Sequence, residues 1–346
     1  MAVKINDIAK HAHVSAMSVS RYLNTPQKVS EKTKLKIITA MKELNYQPNK
    51  IAKSLAMNKS YIIGVIIPDI KNPFFSSCIH TIEGYMSYLN FNILLCNSEE
   101  DSQKESEYLD LLLTRKVDGV IIFPISSNSA IRLKKTKTPF VLVDRKFDDV
   151  ETDYITVDHC SGALLAVEHL IKLGHKKIGF INGPGHLFPY AERNRGYRKA
   201  LTQHNIQIDP RYIKECAPVQ HAGYEVALEI LKLPDPPTAF FLGNNLISVG
   251  AIKAAYDLNL NIPDDISIVA FDKLPSNDII RPKITCISQP VEFIATNAAM
   301  LLIGKIEKTG FKNIQKVTLK PELIVGESCS SLDKVQLNLS SGSYYN

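Results

Sequence analysis

The chain has 346 residues, 45% of them hydrophobic and 22% charged, with a formal net charge of +6. That length predicts two or three domains, and the composition excludes a disordered or low-complexity protein. No run of 18 apolar residues and no leader-like apolar segment is present, so a cytoplasmic chain with no membrane partner is expected.

The first sixty residues carry the sharpest pattern. Ile5 to Ala12 (INDIAKHA) reads as a short helix capped by Asn6, with Ile8 and Ala9 turned inward. His11 to Val14 make a tight turn into a second helix, within Val14 to Asn24 (VSAMSVSRYLN), for which Ser15 is the N-cap. Val19, Tyr22 and Leu23 fall on one of its faces; Ala16, Met17, Ser18 and Arg21 fall on the other. The second face is short, polar and carries one cation. A helix entering a DNA major groove needs such small side chains, and donors that reach base edges. A third helix is expected from its cap Ser30 to about Asn45, with Leu35, Ile38, Met41 and Leu44 as its apolar stripe. Pro48 then ends the helical run, and Asn49 can cap a segment, 50–56, too short to persist alone in water. Charge agrees with this reading. Residues 1–60 hold eleven Lys and Arg against three acids, an excess of eight, so the other 286 residues carry a net −2. A basic module on a near-neutral body is the footprint of phosphate binding. A solvated basic tail would lack caps and apolar stripes.

The stretches DIAKHAHVSAMSVSRYLN and VSEKTKLKIITAMKELNYQPNKIAKSLA are similar to the DNA-binding headpiece of the lactose/galactose repressor family of bacterial transcription regulators, without a gap from about Ile5 to Ala56. The resemblance implies a helix-turn-helix headpiece over 1–48. It also implies a hinge helix and linker over 49–60, which folds on operator DNA against the hinge of a second subunit. Leu55 matches the residue that wedges between central base pairs and kinks the duplex. Ala52 sits where close hinge packing requires a small side chain. Ala16, Met17 and Arg21 are then the candidates for base readout, with Arg21 the one to reach a guanine. Ser15, Ser18, Asn24 and Tyr46 are the candidates for positioning on the phosphate backbone. One departure is His13, where the family usually has Gly. Histidine tolerates the left-handed backbone better than most residues, at some cost in stability.

From Tyr61 the pattern changes to alternating strands and helices. Apolar strands are expected at 61–67, 91–97, 118–124, 139–144, 154–157, 177–182, 238–243 and 266–271. Helices are expected at 74–90, 101–115, 159–173, 193–205, 220–233 and 246–258. Short, continuously apolar strands between amphipathic helices argue for parallel sheets covered on both faces. There are too many strands for one sheet, which predicts two α/β lobes. The resemblance implies the same: over 61–329, a core like the type I periplasmic sugar-binding proteins, crossed between lobes three times, near Val157, Ile287 and Leu323. Residues 330–346 read as a disordered polar tail. Six Cys (78, 96, 160, 216, 286, 329) lie mostly in apolar runs with no C-x-x-C spacing, as core thiols rather than disulfides or zinc ligands.

Open parallel sheets bind ligands beyond the C-terminal ends of their strands, so two facing lobes predict a cleft for a small molecule. Polar residues at expected strand ends are Asp144 and Arg145, Asn244 and Asn245, and Asp272 and Lys273; Arg193 follows KIGFING, and Asn72, Phe74 and Phe75 follow GVIIPD. Carried over by resemblance, Arg193 and Asp272 are the main polar clamps, Asn244 and Asp144 further hydrogen-bonding positions, and Phe74 and Phe75 an apolar wall. Asp and Asn in such places also cap helices without touching ligand. Where the family commonly has Asn-Asp, this chain has Asn244-Asn245, and Lys273 stands where Asp or Asn is frequent. With Arg145 and Arg193, these changes point to an anionic effector, a sugar acid or sugar phosphate; equally, Lys273 can face solvent or pair with Asp278. No phosphate loop, nucleophile elbow or H-E-x-x-H pattern is present, so no enzyme, cofactor or metal is expected. The sequence therefore reads as a homodimer, or a tetramer, that binds double-stranded operator DNA and represses a carbohydrate or sugar-acid operon until its effector releases it. A corepressor acting with the opposite sign is equally permitted.

Overall fold

A computed structural model of the chain describes residues 3–46, 59–310 and 313–332, in one unit ending at Tyr61 and a second beginning at Ile62. The expected hinge, with Ala52 and Leu55, and the side chain of Asn24 lie outside the described residues.

The first unit is built on α1 (Ile5–His11), α2 (Ala16–Asn24) and α3 (Glu31–Glu43). Ser15 and Ser30 are the N-caps of α2 and α3, accepting from the amides of Ser18 and Thr33. Asn6 is not a cap. Helix α1 starts earlier, because the Asp7 carboxylate reaches back to the Lys4 amide at 2.8 Å and satisfies an orphan donor there. His13 adopts φ 51° in the turn, the left-handed conformation anticipated for it. Asn45, also left-handed at φ 47°, closes α3, with the Tyr46 amide donating to the Met41 carbonyl.

Ile8, Ala9, Ala12, Val19, Ile37 and Ala40 form the core of this unit, with Val14, Tyr22, Leu23, Met41, Leu44 and Tyr46 packed around it. The stripe on α3 therefore differs from the expected one. Leu35 is 64% exposed while Ile37 is fully buried. A strict three-residue repeat loses about 60° per step on a helix of 3.6 residues per turn. Positions 35, 38, 41 and 44 cannot share a face; 37, 40, 41 and 44 can.

The second unit contains two six-stranded sheets. In the first lobe the strands are β1 (Ile62–Ile67), β2 (Asn92–Asn97), β3 (Gly119–Ile122), β4 (Phe140–Val143), β5 (Tyr154–Val157) and β11 (Lys316–Leu319), ordered β11-β5-β4-β3-β1-β2. In the second they are β6 (Ile178–Asn182), β7 (Ile213–Glu215), β8 (Ala239–Leu242), β9 (Ser267–Phe271), β10 (Thr285–Ser288) and β12 (Glu322–Ile324), ordered β12-β10-β9-β8-β6-β7. Every pairing is parallel except β10 with β12. Both lobes thus reverse strand order beside their first strand, β1 or β6, which is where doubly wound sheets open a crevice. The chain crosses between lobes after Val157, after Ser288 and between Leu319 and Glu322, three crossings as expected, the last slightly earlier than Leu323.

Helices α4 (Pro73–Tyr88), α5 (Ser102–Thr114), α6 (Ser127–Thr136) and α11 (Val291–Glu307) serve the first lobe; α7 (His159–Lys172), α8 (Phe188–Gln203), α9 (Gln220–Leu231) and α10 (Asn245–Asp257) serve the second. Helix α8 begins five residues before the expected 193, with Pro189 in its first turn, where its missing N–H costs nothing. Gly196 lets α8 press against α7, because a side chain there would collide with the Cys160 carbonyl. The core also runs past the expected boundary at 329. The Ser330 amide donates to Ser267 Oγ at 3.1 Å and the Leu332 amide to the Leu173 carbonyl at 2.9 Å.

Candidate functional site

In the first unit, burial sorts α2 into two faces. Val19 is fully buried, whereas Met17 is 70% exposed and Ala16 and Arg21 also face out. Among the described residues Arg21 has no ion pair, which leaves its guanidinium available for a bidentate contact. Ser15 and Ser18 are engaged with each other, Oγ to Oγ at 2.9 Å, while Ser15 Oγ also accepts the Ser18 amide. Tyr46 packs half-buried against the small core. The described geometry thus brings Ala16, Met17 and Arg21 together on one open face and gives Ser15, Ser18 and Tyr46 local structural work as well.

In the second unit, the strand ends converge on a crevice between the lobes. A small inner chamber, about 20 Å³, is lined by Asn72, Phe74, Phe75, Asp144, Arg145, Pro189, Tyr190, Arg193, Asn244, Asp272 and Gln289. A wider cavity of about 890 Å³ shares Phe74, Asp272 and Gln289 with it and adds residues including Ser77, His80, Asn245, Lys273 and Phe293. Phe74 and Phe75 form an edge-to-face cluster with Phe123, the ring centroids 5.2–6.3 Å apart, making the apolar wall rigid.

Asp144 and Asp272 occupy equivalent places, each just after the fourth strand of its lobe. Both hold left-handed backbones, φ 66° and 76°. Such conformations cost about 1–3 kcal/mol at a non-glycine residue, and they concentrate at ligand sites. The two carboxyls differ in charge balance. Burial would raise Asp144, but His159, Arg145 and Arg193 together bring it below the usual range. Burial holds Asp272 above its ordinary value, and Arg193 and Gln289 offset this only in part.

Arg193 is 3% exposed and is the centre of the second-lobe wall. Its guanidinium donates to the Gly243 carbonyl and to His159 Nδ1 at 3.3 Å, and lies 3.7 Å over the Phe271 ring. Since Arg cannot accept, His159 Nδ1 is the acceptor and Nε2 carries the hydrogen. That Nε2 sits 3.4 Å from Asp144 Oδ1, at ion-pair distance but off the line of a hydrogen bond. Asn244 caps α10, its Oδ1 accepting from the Ile247 amide at 2.7 Å, while Nδ2 faces Tyr190 Oη at 3.4 Å. Asn244 is therefore both helix cap and chamber wall.

Lys273 follows the second of the two readings the sequence left open, the pairing with Asp278, whereas Arg145 departs from the free cation expected. Lys273 is half-exposed, and its ammonium pairs with Asp278 at 2.9 Å, because its strand-end turn carries it to the rim of the wide cavity rather than into the chamber. Arg145 is buried with its charge already paired, donating in a fork to Glu100 at 2.9 and 2.5 Å. Sequence reasoning also passed over His159, Tyr190 and Gln289. His159 follows β5 by two residues and Gln289 follows β10 by one, so the strand-end rule would have reached both had it been applied to YITV and ITCIS.

Buried polar atoms without a partner concentrate here. Among the described residues, five of seven belong to this site: Arg145 Nε, His159 Nε2, Arg193 Nε, Asn245 Oδ1 and Gln289 Oε1. The Gln289 orientation is set by its Nε2 donating to Asp272 Oδ1 at 2.6 Å. Leaving a buried group without a hydrogen bond costs about 1–3 kcal/mol, so the set offers donors and acceptors to a polar ligand.

A basic helix-turn-helix unit joined to a two-lobed α/β body with a polar crevice at its switch points defines a class, the DNA-binding regulators built on a binding-protein core. Residues 4–49 match the model of bacterial regulatory proteins of the lacI family, and residues 167–329 match a periplasmic binding protein-like domain. Catabolite control protein A of Priestia megaterium is 33% identical over 89% of this chain and 94% of its own length. The HTH-type transcriptional repressor PurR of Mannheimia succiniciproducens is 31% identical over 95% and 99%. The crystal structure of the Lac repressor dimer bound to operator and the anti-inducer ONPF superposes with a TM-score of 0.85 at 27% identity, covering 95% of this chain and 100% of that one. The chain belongs to the lacI family of bacterial regulatory proteins. It is a DNA-binding transcriptional regulator and not an enzyme.

Proposed function

We propose that this protein is an operator-bound repressor, released when a small hydroxyl-rich metabolite closes the crevice between the lobes. The observation that carries this reading is the set of buried, unpartnered donors and acceptors around Arg193, Asn245 and Gln289. A polyol supplies both hydrogen-bond directions and would complete them, and an analogue lacking one hydroxyl would leave a buried group unpaired. The apolar rings of Phe74 and Phe75 in the chamber wall suit the apolar face of such a ligand.

The chamber favours a neutral molecule, a sugar or nucleoside, over a sugar acid. Of the three cations that suggested an anion, Arg145 is neutralised by Glu100 and Lys273 by Asp278, and Asp144 and Asp272 share the chamber with Arg193. On the DNA side, Arg21 and Met17 read base edges, and two such helices in a dimer contact two half-sites. Ligand closure would change how the paired bodies hold the headpieces, and a swing from 1:99 to 99:1 needs about 5.5 kcal/mol of differential ligand binding. Several charged hydrogen bonds in a closed crevice are of that order. The test is calorimetry with neutral sugars, nucleosides and sugar acids, paired with anisotropy on a duplex selected from a random library. Tight binding and DNA release by neutral ligands support the reading; response to a sugar acid alone would replace the neutral effector with an anionic one.

A further inference from the structure

Two polar side chains meet directly across the crevice. Asn72 lies between β1 and α4 in the first lobe; Asn245 is the first residue of α10 in the second. Both are buried, at 6% and 1% exposure. Asn245 Nδ2 donates to Asn72 Oδ1 at 3.0 Å. The same Asn72 oxygen accepts the Phe74 amide at 3.0 Å as the N-cap of α4. That cap fixes which way the Asn72 amide points: turning it would present NH₂ to an amide N–H and leave a helix terminus unsatisfied. The partner at 245 must therefore be a donor. An aspartate there would set a second acceptor against the first.

We infer that Asn245 is a positioning residue that clasps the two lobes together through Asn72 when the crevice closes, so that part of the closed state's stability comes from the chain itself. The clasp concerns the same crevice as the proposed effector site, but it can be observed without a ligand. It leaves Asn245 Oδ1 buried and without a partner among the described residues, so the clasp holds the side chain with one open acceptor. Losing one net hydrogen bond of this kind changes a closed-to-open ratio by roughly fivefold.

Two substitutions break the bond from opposite sides while keeping each helix start intact. Asn245→Asp removes the donor and places an acid in the first turn of α10, where the helix dipole favours it. Asn72→Ser removes the interlobe acceptor and retains a good N-cap for α4. Spin labels on noncanonical residues at the exposed positions Glu107 in α5 and Glu229 in α9 would report lobe separation by pulsed electron resonance. The measurement uses the full chain without ligand, diluted with unlabelled protein. Asn72→Ser should raise the open-to-closed ratio about fivefold and Asn245→Asp at least as much, and the double variant no further than the stronger single, because both act on one bond. Distance distributions equal to the parent's for both variants would overturn the clasp, as would effects that multiply in the double variant. Failure of every sugar or nucleoside to bind would sink the effector reading and leave this measurement unaffected.

Discussion

Arg193→Lys keeps the charge and removes the fork. In the parent, the guanidinium donates to the Gly243 carbonyl and to His159 Nδ1 while stacking over Phe271. A lysine ammonium is a point donor on a flexible stem and cannot make the two bonds and the stack together. One charge-assisted hydrogen bond is worth about 1.5–3 kcal/mol, so ligand affinity should fall roughly 10- to 150-fold. The DNA-binding face of α2 is untouched, so operator affinity without ligand should stay at the parent's value. Calorimetry measures the first quantity; operator anisotropy without effector measures the second, and with added effector it measures release. The lysine variant should remain on DNA at effector concentrations that free the parent. If it binds ligand and leaves DNA within twofold of the parent, Arg193 does not hold the effector, and the crevice reading fails at its centre. Arg193→Ala is the harsher change. It removes the cation that offsets the burial of both Asp144 and Asp272, and stripping one member of a buried charged set typically costs about 3–5 kcal/mol of stability.

Arg21→Ala should lower operator discrimination by about 1–3 kcal/mol while sparing ligand binding; a competition assay against random duplex that shows unchanged preference would remove Arg21 from base readout. Ile37→Ala should destabilise the headpiece by about 2–4 kcal/mol, whereas Leu35→Ala, at an exposed position, should change it by less than about 0.5 kcal/mol. Chemical denaturation of the two variants in parallel checks which face of α3 is buried. Asp272→Asn tests the perturbed carboxyl. Its folded-state value is raised by burial, so its contribution to stability is fully present below the unfolded value and is lost as pH rises through the folded one. The variant should therefore melt higher than the parent at pH 7.5, and the advantage should disappear toward pH 3.5, even as effector affinity is lost. An advantage that grew on acidification would contradict the assigned shift.

Much of the site was legible because strand ends are legible. FVLVD, TAFFLG and ISIVAF are continuous apolar runs that stop on a polar residue, and in a doubly wound sheet such stops face the crevice. That logic located Asp144, Asn244 and Asp272, which line the chamber. It stopped short where the direction of a side chain mattered. For Lys273 the sequence left two readings open, the cleft or Asp278, and only the turn that brings its ammonium to Asp278, five residues on, chooses between them. Arg145 looked like an available cation, because Glu100, its partner, is 45 residues away in sequence. On α3, counting by threes misassigned Leu35, since the stripe follows 3.6 residues per turn rather than 3.

By itself the sequence determined the kinds of element and their order: three capped helices rich in basic residues, then strands buried on both faces alternating with helices. These follow from local capping and from short-period hydrophobicity, which a chain carries wherever it is placed. Tertiary structure alone decided which charges remain unspent. Ion pairs such as Arg145 with Glu100, and contacts such as Asn245 with Asn72 across 173 residues, exist only once two lobes bring distant segments within about 3 Å, the reach of a hydrogen bond. The character of the crevice is set by those meetings.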